Sequence, residues 1–211
     1  MFRPRDSQDQ RLLDFGLKIR PSPSDLHWIH DVFNNCVAVA SFDGSARELS
    51  FESRILLDHS PTETLRFRAT AGSRRWPLLY DAETLPDLAP YMRRHYPDDG
   101  AVEAWARQFV RVGRRTDVAH LLAKMTTSIP QDFIYSRRLE QGTRAPGETL
   151  SSGTGTCRDF ALLMIEAVRS IGLAARFVTG TSTSSRGIRP STVEVERPMP
   201  GYRFSCREQA G

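Results

Sequence analysis

The chain has 211 residues, of which 39% are hydrophobic and 26% charged, and its formal net charge is +4. These values are typical of a globular protein with a real core, in one larger domain or two small ones. They exclude a transmembrane helix, because no run of about 18 apolar residues occurs, and the N-terminus lacks the apolar segment of a secretory signal.

Three cysteines occur, Cys36, Cys157 and Cys206, and their spacing matches no metal-ligand motif. They cannot all pair with one another in disulfides. We therefore expect a reducing, cytoplasmic location, with no bound metal and no cofactor.

The basic residues are almost all arginines, since only Lys18 and Lys124 are lysines. Arginine pairs such as Arg74-Arg75 and Arg114-Arg115 are scattered between acidic residues. A nucleic-acid footprint gathers basic residues on one face. The pattern favours a solvated basic surface, so a nucleic-acid-binding module is the weakest of the functions considered.

Residues 1–68 are predicted to form a small antiparallel β region. Four segments have the alternation or the short apolar runs of strands: Leu12–Ile19, Cys36–Phe42, Leu49–Ile55 and Thr64–Arg68. Asp43-Gly44 predicts a hairpin turn after the second of them.

His27, His30 and Asp31 lie close together in this region and could resemble a metal cluster. One short segment without further ligands is a weak metal signal. Surface or turn positions are the favoured interpretation for these three residues.

Residues 69–100 contain four prolines and are interpreted as a connector with one short helix over Leu88–His95. Helical periodicity begins at residue 101, where Ala101–Val110 has an apolar stripe. Asp117 is expected to cap a second helix that Pro130 closes. His120 lies on that helix and is expected to be a packed or surface residue rather than a catalyst.

A glycine-rich loop leads into Cys157, where a strongly apolar helical run begins. Gly153 and Gly155 allow a tight backbone bend, and Thr156 is a plausible N-cap. A thiol in the first helical turn lies at the positive end of the helix dipole, and Arg158 adds a positive charge beside it, so the nucleophilic thiolate is favoured there. The local pattern alone also fits a buried structural cysteine.

The helix that Cys157 begins is apolar around most of its circumference, which predicts a central, buried position. Gly172 is its expected C-cap, and Ala174–Val178 is expected to follow as a strand. From Thr181 the apolar residues become sparse, so residues 181–211 are predicted to be a disordered tail.

The segment Glu148–Gly180, with its Gly-Thr-Gly-Thr-Cys-Arg-Asp-Phe-Ala motif, resembles the bacterial transglutaminase-like family of cysteine enzymes. Upstream, Phe2–Ser7 and Trp28–Ala38 resemble that family's N-terminal β region. The resemblance covers about residues 2–180 and implies an α+β fold. Its parts are the β region and an incomplete papain-like, transglutaminase-like core over residues 101–180, with a buried central helix starting at Cys157. The family's additional first strand is expected to be absent, as if the chain were truncated at both ends.

The resemblance implies that Cys157 attacks an amide carbonyl of a protein or peptide and forms a thioester, which water or an amine resolves. Such chemistry needs a base to activate the thiol and an acid to orient that base. The backbone N–H of Cys157 is the expected oxyanion donor.

In this family a histidine in a Thr-His-Ala-Trp-like strand and an aspartate in an Asp-Pro-Thr-like segment follow the cysteine. Here the last histidine is His120 and the last aspartate is Asp159. The base and the acid are therefore missing, and the chain is predicted to be inactive. The alternative is a non-catalytic remnant that binds peptide or protein.

The composition of the tail suggests a cause for this loss. The codons that can encode Val193–Gly211 can also be read one nucleotide out of register, so that the third base of each codon joins the first two bases of the next. That reading permits Gly-Gly-Gly-Ala-Thr-His-Ala-Trp-Val-Gln-Val-Phe-Leu-Pro-Gly-Ala-Gly-Trp. That is the family's expected sequence, including the histidine. The hypothesis is that one nucleotide was lost near codon 180 and that the tail is translated out of frame.

Overall fold

The computed structural model divides the chain into two compact units, Met1–Arg66 and Phe67–Gly211. It describes residues 3–4, 6, 10–33, 35–59, 75–97, 99–111, 113–137, 142–184, 187–195 and 202–205. Beyond residue 178 the description concerns the backbone alone.

The described residues of the first unit form four strands in two antiparallel pairs. Strand β1 (Gln10–Arg20) pairs with β4 (Ser50–His59), and β2 (Asp25–His30) pairs with β3 (Cys36–Ser41). Three of the four predicted strands are confirmed by these pairs, while the predicted strand Thr64–Arg68 lies outside the described residues.

The turn chemistry of this unit differs from the sequence-based prediction. Asp43-Gly44 does not close a hairpin, because β3 turns back onto β2 and β4 pairs with β1. The hairpin turn lies instead between β2 and β3, where the Asp31 carboxylate accepts from the N–H groups of Phe33 and Asn35 at 2.9 and 2.7 Å. An aspartate that bonds the backbone two residues on is a standard turn-former.

His27 and His30 lie within β2 and are exposed, which agrees with the predicted surface positions. His27 Nδ1 is 2.7 Å from Asp25 Oδ2, and both side chains are exposed. Among the described residues, no three histidine, cysteine or acidic side chains are grouped so that they could hold a metal ion.

An arginine from the N-terminal segment bridges the two strand pairs. The Arg3 guanidinium lies 5.2 Å from the centre of the Phe15 ring on β1 and 5.3 Å from that of Trp28 on β2. These two rings meet edge to face at 5.7 Å, and Arg3 also donates to the Cys36 sulfur at 3.6 Å. Such contacts add cation–π and aromatic attraction to apolar burial.

The second unit is mainly helical, which establishes the α+β class. The helices in its described residues are α1 (Leu85–Met92), α2 (Ala101–Arg107), α3 (Val118–Asp132), α4 (Pro146–Ser152) and α5 (Cys157–Ser170). The same described residues include four two-residue strands before and between the helices: β5 (Arg75–Trp76), β6 (Thr116–Asp117), β7 (Ile134–Tyr135) and β8 (Thr154–Gly155). No helix in the described part of the chain has the length and apolar character needed to cross a membrane.

Two of these helices differ slightly from prediction at their ends. Helix α1 begins and ends three residues before the predicted Leu88–His95, with a proline in its first turn, where proline is tolerated. Asp117 caps α3 as predicted, since its carboxylate accepts from the His120 N–H at 2.9 Å. Pro130 lies inside α3, which continues to Asp132 before ending.

Helix α5 lies at the centre of the core of this unit, as its apolar circumference predicts. Gly172 follows its end at a φ of +83°, the left-handed geometry that favours glycine. Side chains of α5 pack with side chains of α2 and α3 in one core. This core includes Val102, Trp105, Leu121, Leu122, Met125, Phe160, Leu163, Met164, Ile165 and Val168.

A buried ion pair fixes the far end of α5. Arg169 Nη1 lies 2.9 Å from Glu166 Oε1, and both side chains are buried. The Arg169 guanidinium also donates to the carbonyls of Tyr91 at 2.8 Å and Ala175 at 2.7 Å, while the second Glu166 oxygen accepts the His95 N–H at 3.1 Å. These bonds tie α1, α5 and the chain that leaves α5 into one unit.

The chain beyond α5 is where the structure departs most from the prediction. Strands β9 (Arg176–Ser184), β10 (Gly187–Val195) and β11 (Tyr202–Ser205) form an antiparallel sheet in the order β11-β10-β9. The described residues of the segment 181–211 are therefore strands, where a disordered tail was expected. The prediction overlooked a local period of two in Val-Glu-Val-Glu and Tyr-Arg-Phe-Ser, which favours strands.

Candidate active site

Cys157 is the first residue of α5, and it is half-buried. Thr156 is the N-cap, as predicted, and it forms a capping box with Asp159. The Asp159 carboxylate accepts the Thr156 N–H at 2.8 Å, and the Asp159 N–H reaches the Thr156 hydroxyl at 3.4 Å. Reciprocal bonds of this kind define where a helix starts, so the position of the thiol is determined locally.

Asp159 is fully buried and carries the densest hydrogen bonding at the site. Besides the Thr156 N–H, its carboxylate accepts the Thr156 hydroxyl at 2.9 Å and the Arg144 N–H at 2.7 Å. A buried carboxylate is stable only when its oxygens are satisfied in this way. Its negative charge at the helix N-terminus also offsets part of the dipole that the Cys157 sulfur would otherwise feel.

The glycine loop before Cys157 is held by backbone contacts on both sides. Helix α4 ends at Ser152, and Gly153 follows it with a φ of +62°, in the left-handed region that favours glycine. The loop then pairs in parallel with β7: the Ile134 N–H donates to the Gly153 carbonyl at 2.8 Å, and the Ser136 N–H to the Gly155 carbonyl at 2.9 Å. The loop is therefore part of the folded framework.

Arg144 connects the loop to the capping box. Its Nη1 lies 3.2 Å from the Thr154 carbonyl oxygen, the Thr154 hydroxyl and the Ser152 hydroxyl. Its backbone N–H is the one that donates to Asp159. One residue thus fixes both the loop and the first turn of α5. Sequence reasoning missed it, because no local pattern distinguishes it from the chain's many other arginines.

Gly155 is the position where added volume should disturb the site most. A Cβ there would lie 3.1 Å from both Asp159 Cβ and Phe160 Cε1. We expect Gly155→Ala to lower the free energy of unfolding by about 1–3 kcal/mol, the usual cost of overpacking. Urea unfolding followed by circular dichroism measures it.

Gly147 on α4 is the matched control, because a Cβ there meets nothing within 4 Å. Gly147→Ala should leave stability unchanged or raise it by up to about 1 kcal/mol. Equal losses in the two variants would show that close packing at Gly155 does not control the loop.

None of the hydrogen bonds described above, in the capping box or the glycine loop, involves a histidine side chain. His120 lines a separate cleft together with Arg111 and Asp117, and Cys157 is not among the residues that line it. Arg158, predicted to lie beside the thiol, is the next residue of α5 and is exposed. The site as described is a nucleophile with its helix start and loop.

Family models match both units of the chain. Residues 1–58 match the model described as "Bacterial transglutaminase-like N-terminal region", and residues 103–203 match the model of the "Transglutaminase-like superfamily". The second match includes the glycine loop, Cys157 and most of the strands that follow α5.

Similar proteins agree with these matches. Uncharacterized proteins of Mycobacterium tuberculosis and Mycobacterium bovis are each 26% identical over 181 residues, which is 84% of this chain and 57% of theirs. The chain thus spans little more than half the length of these relatives.

A solved structure has the same fold. The crystal structure of a candidate cysteine protease from Cytophaga hutchinsonii superimposes with a TM-score of 0.65 at 16% identity. The match covers 90% of this chain and 64% of that one. This likeness establishes the papain-like, transglutaminase-like architecture.

Proposed function

We propose that this chain, which belongs to the bacterial transglutaminase-like family, carries in Cys157 the thiol nucleophile of an amide-cleaving or amide-transferring site. The observation that carries the proposal is the position of Cys157 at the start of the buried central helix. A capping box and a packed glycine loop hold it there. The assignment of the Cytophaga hutchinsonii neighbour as a candidate cysteine protease supports the same chemistry.

In this proposal the Cys157 sulfur attacks the carbonyl carbon of a protein or peptide amide. The amine leaves with a proton, and a thioester remains on the sulfur until water or a second amine resolves it. The backbone N–H of Cys157, at the helix start, is the proposed donor to the oxyanion. Arg144 and Asp159 act through the loop and the cap, so they are positioning residues.

We infer further that this 211-residue chain does not turn over, because neither a histidine nor an aspartate follows Asp159. Without a base, the thiol is not activated and the leaving amine is not protonated. Loss of general acid–base help alone costs about 10²- to 10⁴-fold in rate. The proposed cause is one lost nucleotide near codon 180, and this proposal must also account for the superfamily match that extends to residue 203. The reducing setting that free-thiol chemistry requires is proposed to be the cytoplasm.

A non-catalytic peptide-binding role is the alternative, and one observation favours it. Ile134 and Tyr135 lie on β7 beside the glycine loop, with 71% and 41% of their surfaces exposed. Exposed apolar side chains next to a nucleophile loop suit contact with an extended peptide. Such binding would survive the loss of the base.

Thiol labelling tests the nucleophile. Cys36 and Cys157 are both half-buried, so Cys36 serves as the internal reference in an Arg3→Gln variant, which lacks the guanidinium that donates to the Cys36 sulfur. We expect iodoacetamide at neutral pH to modify Cys157 faster than Cys36, because Cys157 is the proposed nucleophile.

Mass spectrometry of the digested protein resolves the rate at each cysteine, Cys206 included. A Cys157→Ala variant identifies the labelled peptide. Equal rates at Cys36 and Cys157, or faster modification of Cys36, would mean that the helix start does not activate the thiol.

A further inference from the structure

A cleft of about 510 Å³ lies where β5 meets the loop between α2 and α3. Four of the residues that line it are arginines. The full lining is Arg75, Arg111, Arg114, Arg115, Thr116, Asp117 and His120. Its volume is in the range of small-molecule sites. The basic residues that are scattered in sequence are therefore gathered here, which the sequence-based interpretation did not anticipate.

The charge of this cleft is strongly unbalanced. It holds four guanidinium groups and one carboxylate, that of Asp117, which accepts the His120 N–H as the cap of α3. Within the described part of the chain, no ion pair is formed by the side chains of Arg75, Arg114 or Arg115. Like charges gathered around one cleft repel, and a bound anion offsets that repulsion.

The framework that carries these arginines is well fixed. The Thr116 hydroxyl, which is buried, accepts the Arg111 N–H at 2.9 Å and so closes the loop that carries Arg114 and Arg115. Gly113 turns this loop with a φ of +69°. The ends of the loop are therefore held before any ligand binds, which reduces the entropy cost of binding.

The fourth arginine is held by a different part of the chain. Arg75 pairs with Asp117 in the β5–β6 ladder, next to the pair of Trp76 with Thr116. The Trp76 indole N–H donates to the Ile171 carbonyl at 2.7 Å, which anchors β5 to the end of α5. Arg75 is thus set opposite the loop arginines by the core itself.

We propose that this cleft binds a small polyanion that carries at least two phosphoryl groups. Arginine forks match phosphate oxygens in pairs, and four of them supply more positive charge than one carboxylate ligand would neutralise. The site is independent of Cys157 and of its chemistry.

Isothermal titration calorimetry of the full chain with inorganic pyrophosphate tests the proposal. We expect one binding site, with affinity falling as salt rises. The double variant Arg114→Gln/Arg115→Gln should raise the dissociation constant by at least about tenfold, because charge-assisted hydrogen bonds are lost. Both side chains are exposed, so circular dichroism should show an unchanged fold.

The control is Arg47→Gln/Arg54→Gln, which removes the same charge from exposed positions of the first unit. It should bind pyrophosphate as the original chain does. Equal weakening by both double variants, or no binding at all, would overturn the proposal. Binding of a single-stranded oligonucleotide of about ten nucleotides in place of pyrophosphate would also overturn it, and would identify the cleft as a nucleic-acid contact.

Discussion

Inserting one nucleotide at codon 180, so that the downstream sequence is read in the alternative frame, is expected to give the protein amidase or transamidase turnover. The same assay should detect none with the 211-residue chain. The restored frame supplies a Thr-His-Ala-Trp segment across the bases of Arg197 to Gly201, and a histidine at that point provides the missing base. The expected gain is up to about 10²- to 10⁴-fold, the usual worth of general acid–base catalysis, because the restored codons supply the base and not the aspartate that would orient it.

Release of amines from a protein substrate and incorporation of a fluorescent amine into casein measure the two possible outcomes, hydrolysis and transfer. In the restored protein, Cys157→Ala should abolish both activities, whereas Cys36→Ala, in the first unit, should leave them intact. Turnover by the 211-residue chain, or restored turnover that survives Cys157→Ala, would contradict the proposed site.

Breaking the buried ion pair should produce the largest loss of stability. Glu166→Ala leaves the Arg169 guanidinium buried without its counter-charge. We expect the free energy of unfolding to fall by about 3–5 kcal/mol, the usual cost of orphaning one member of a buried pair. Urea unfolding followed by far-ultraviolet circular dichroism measures this change.

Glu103 on α2 provides the matched control, since it also pairs with an arginine one helical turn on, Arg107 at 2.7 Å, but this ion pair is substantially exposed. Glu103→Ala should cost less than about 1 kcal/mol. The double variant Glu166→Leu/Arg169→Met should recover much of the loss, because neither charge is then buried. A loss as small as that of Glu103→Ala would show that the pair does not secure α5.

The local features of the site could be predicted from the sequence. Thr156 as N-cap, Cys157 in the first turn and Gly172 after the helix end all follow from residues within one turn of their effect. The apolar circumference of α5 likewise predicts its central burial. Helix capping and hydrophobic periodicity depend on residues close together in the sequence, so one segment is enough to predict them.

Features that depend on distant segments could not be predicted. Arg144 is a positioning residue only because folding brings it to the Thr154 carbonyl and to Asp159. Arg75 joins the arginines of the α2–α3 loop through a two-residue strand pair that has no sequence signature. Strand pairing in the first unit was misjudged for the same reason, since the turn at Asp43-Gly44 carries no information about which strands pair.

The central claim is that Cys157 was the nucleophile of an active site that lost its histidine base through a change of reading frame. The nucleotide sequence of the gene from codon 180 to codon 211 tests this claim most directly. The genetic code makes the prediction specific: the histidine requires CCC at Pro198, the Ala-Thr pair before it requires CGA at Arg197, and the tryptophan two residues after it requires CCT at Pro200. These three codons are the expected result. Any other codon at Pro198 would rule out the histidine and contradict the account.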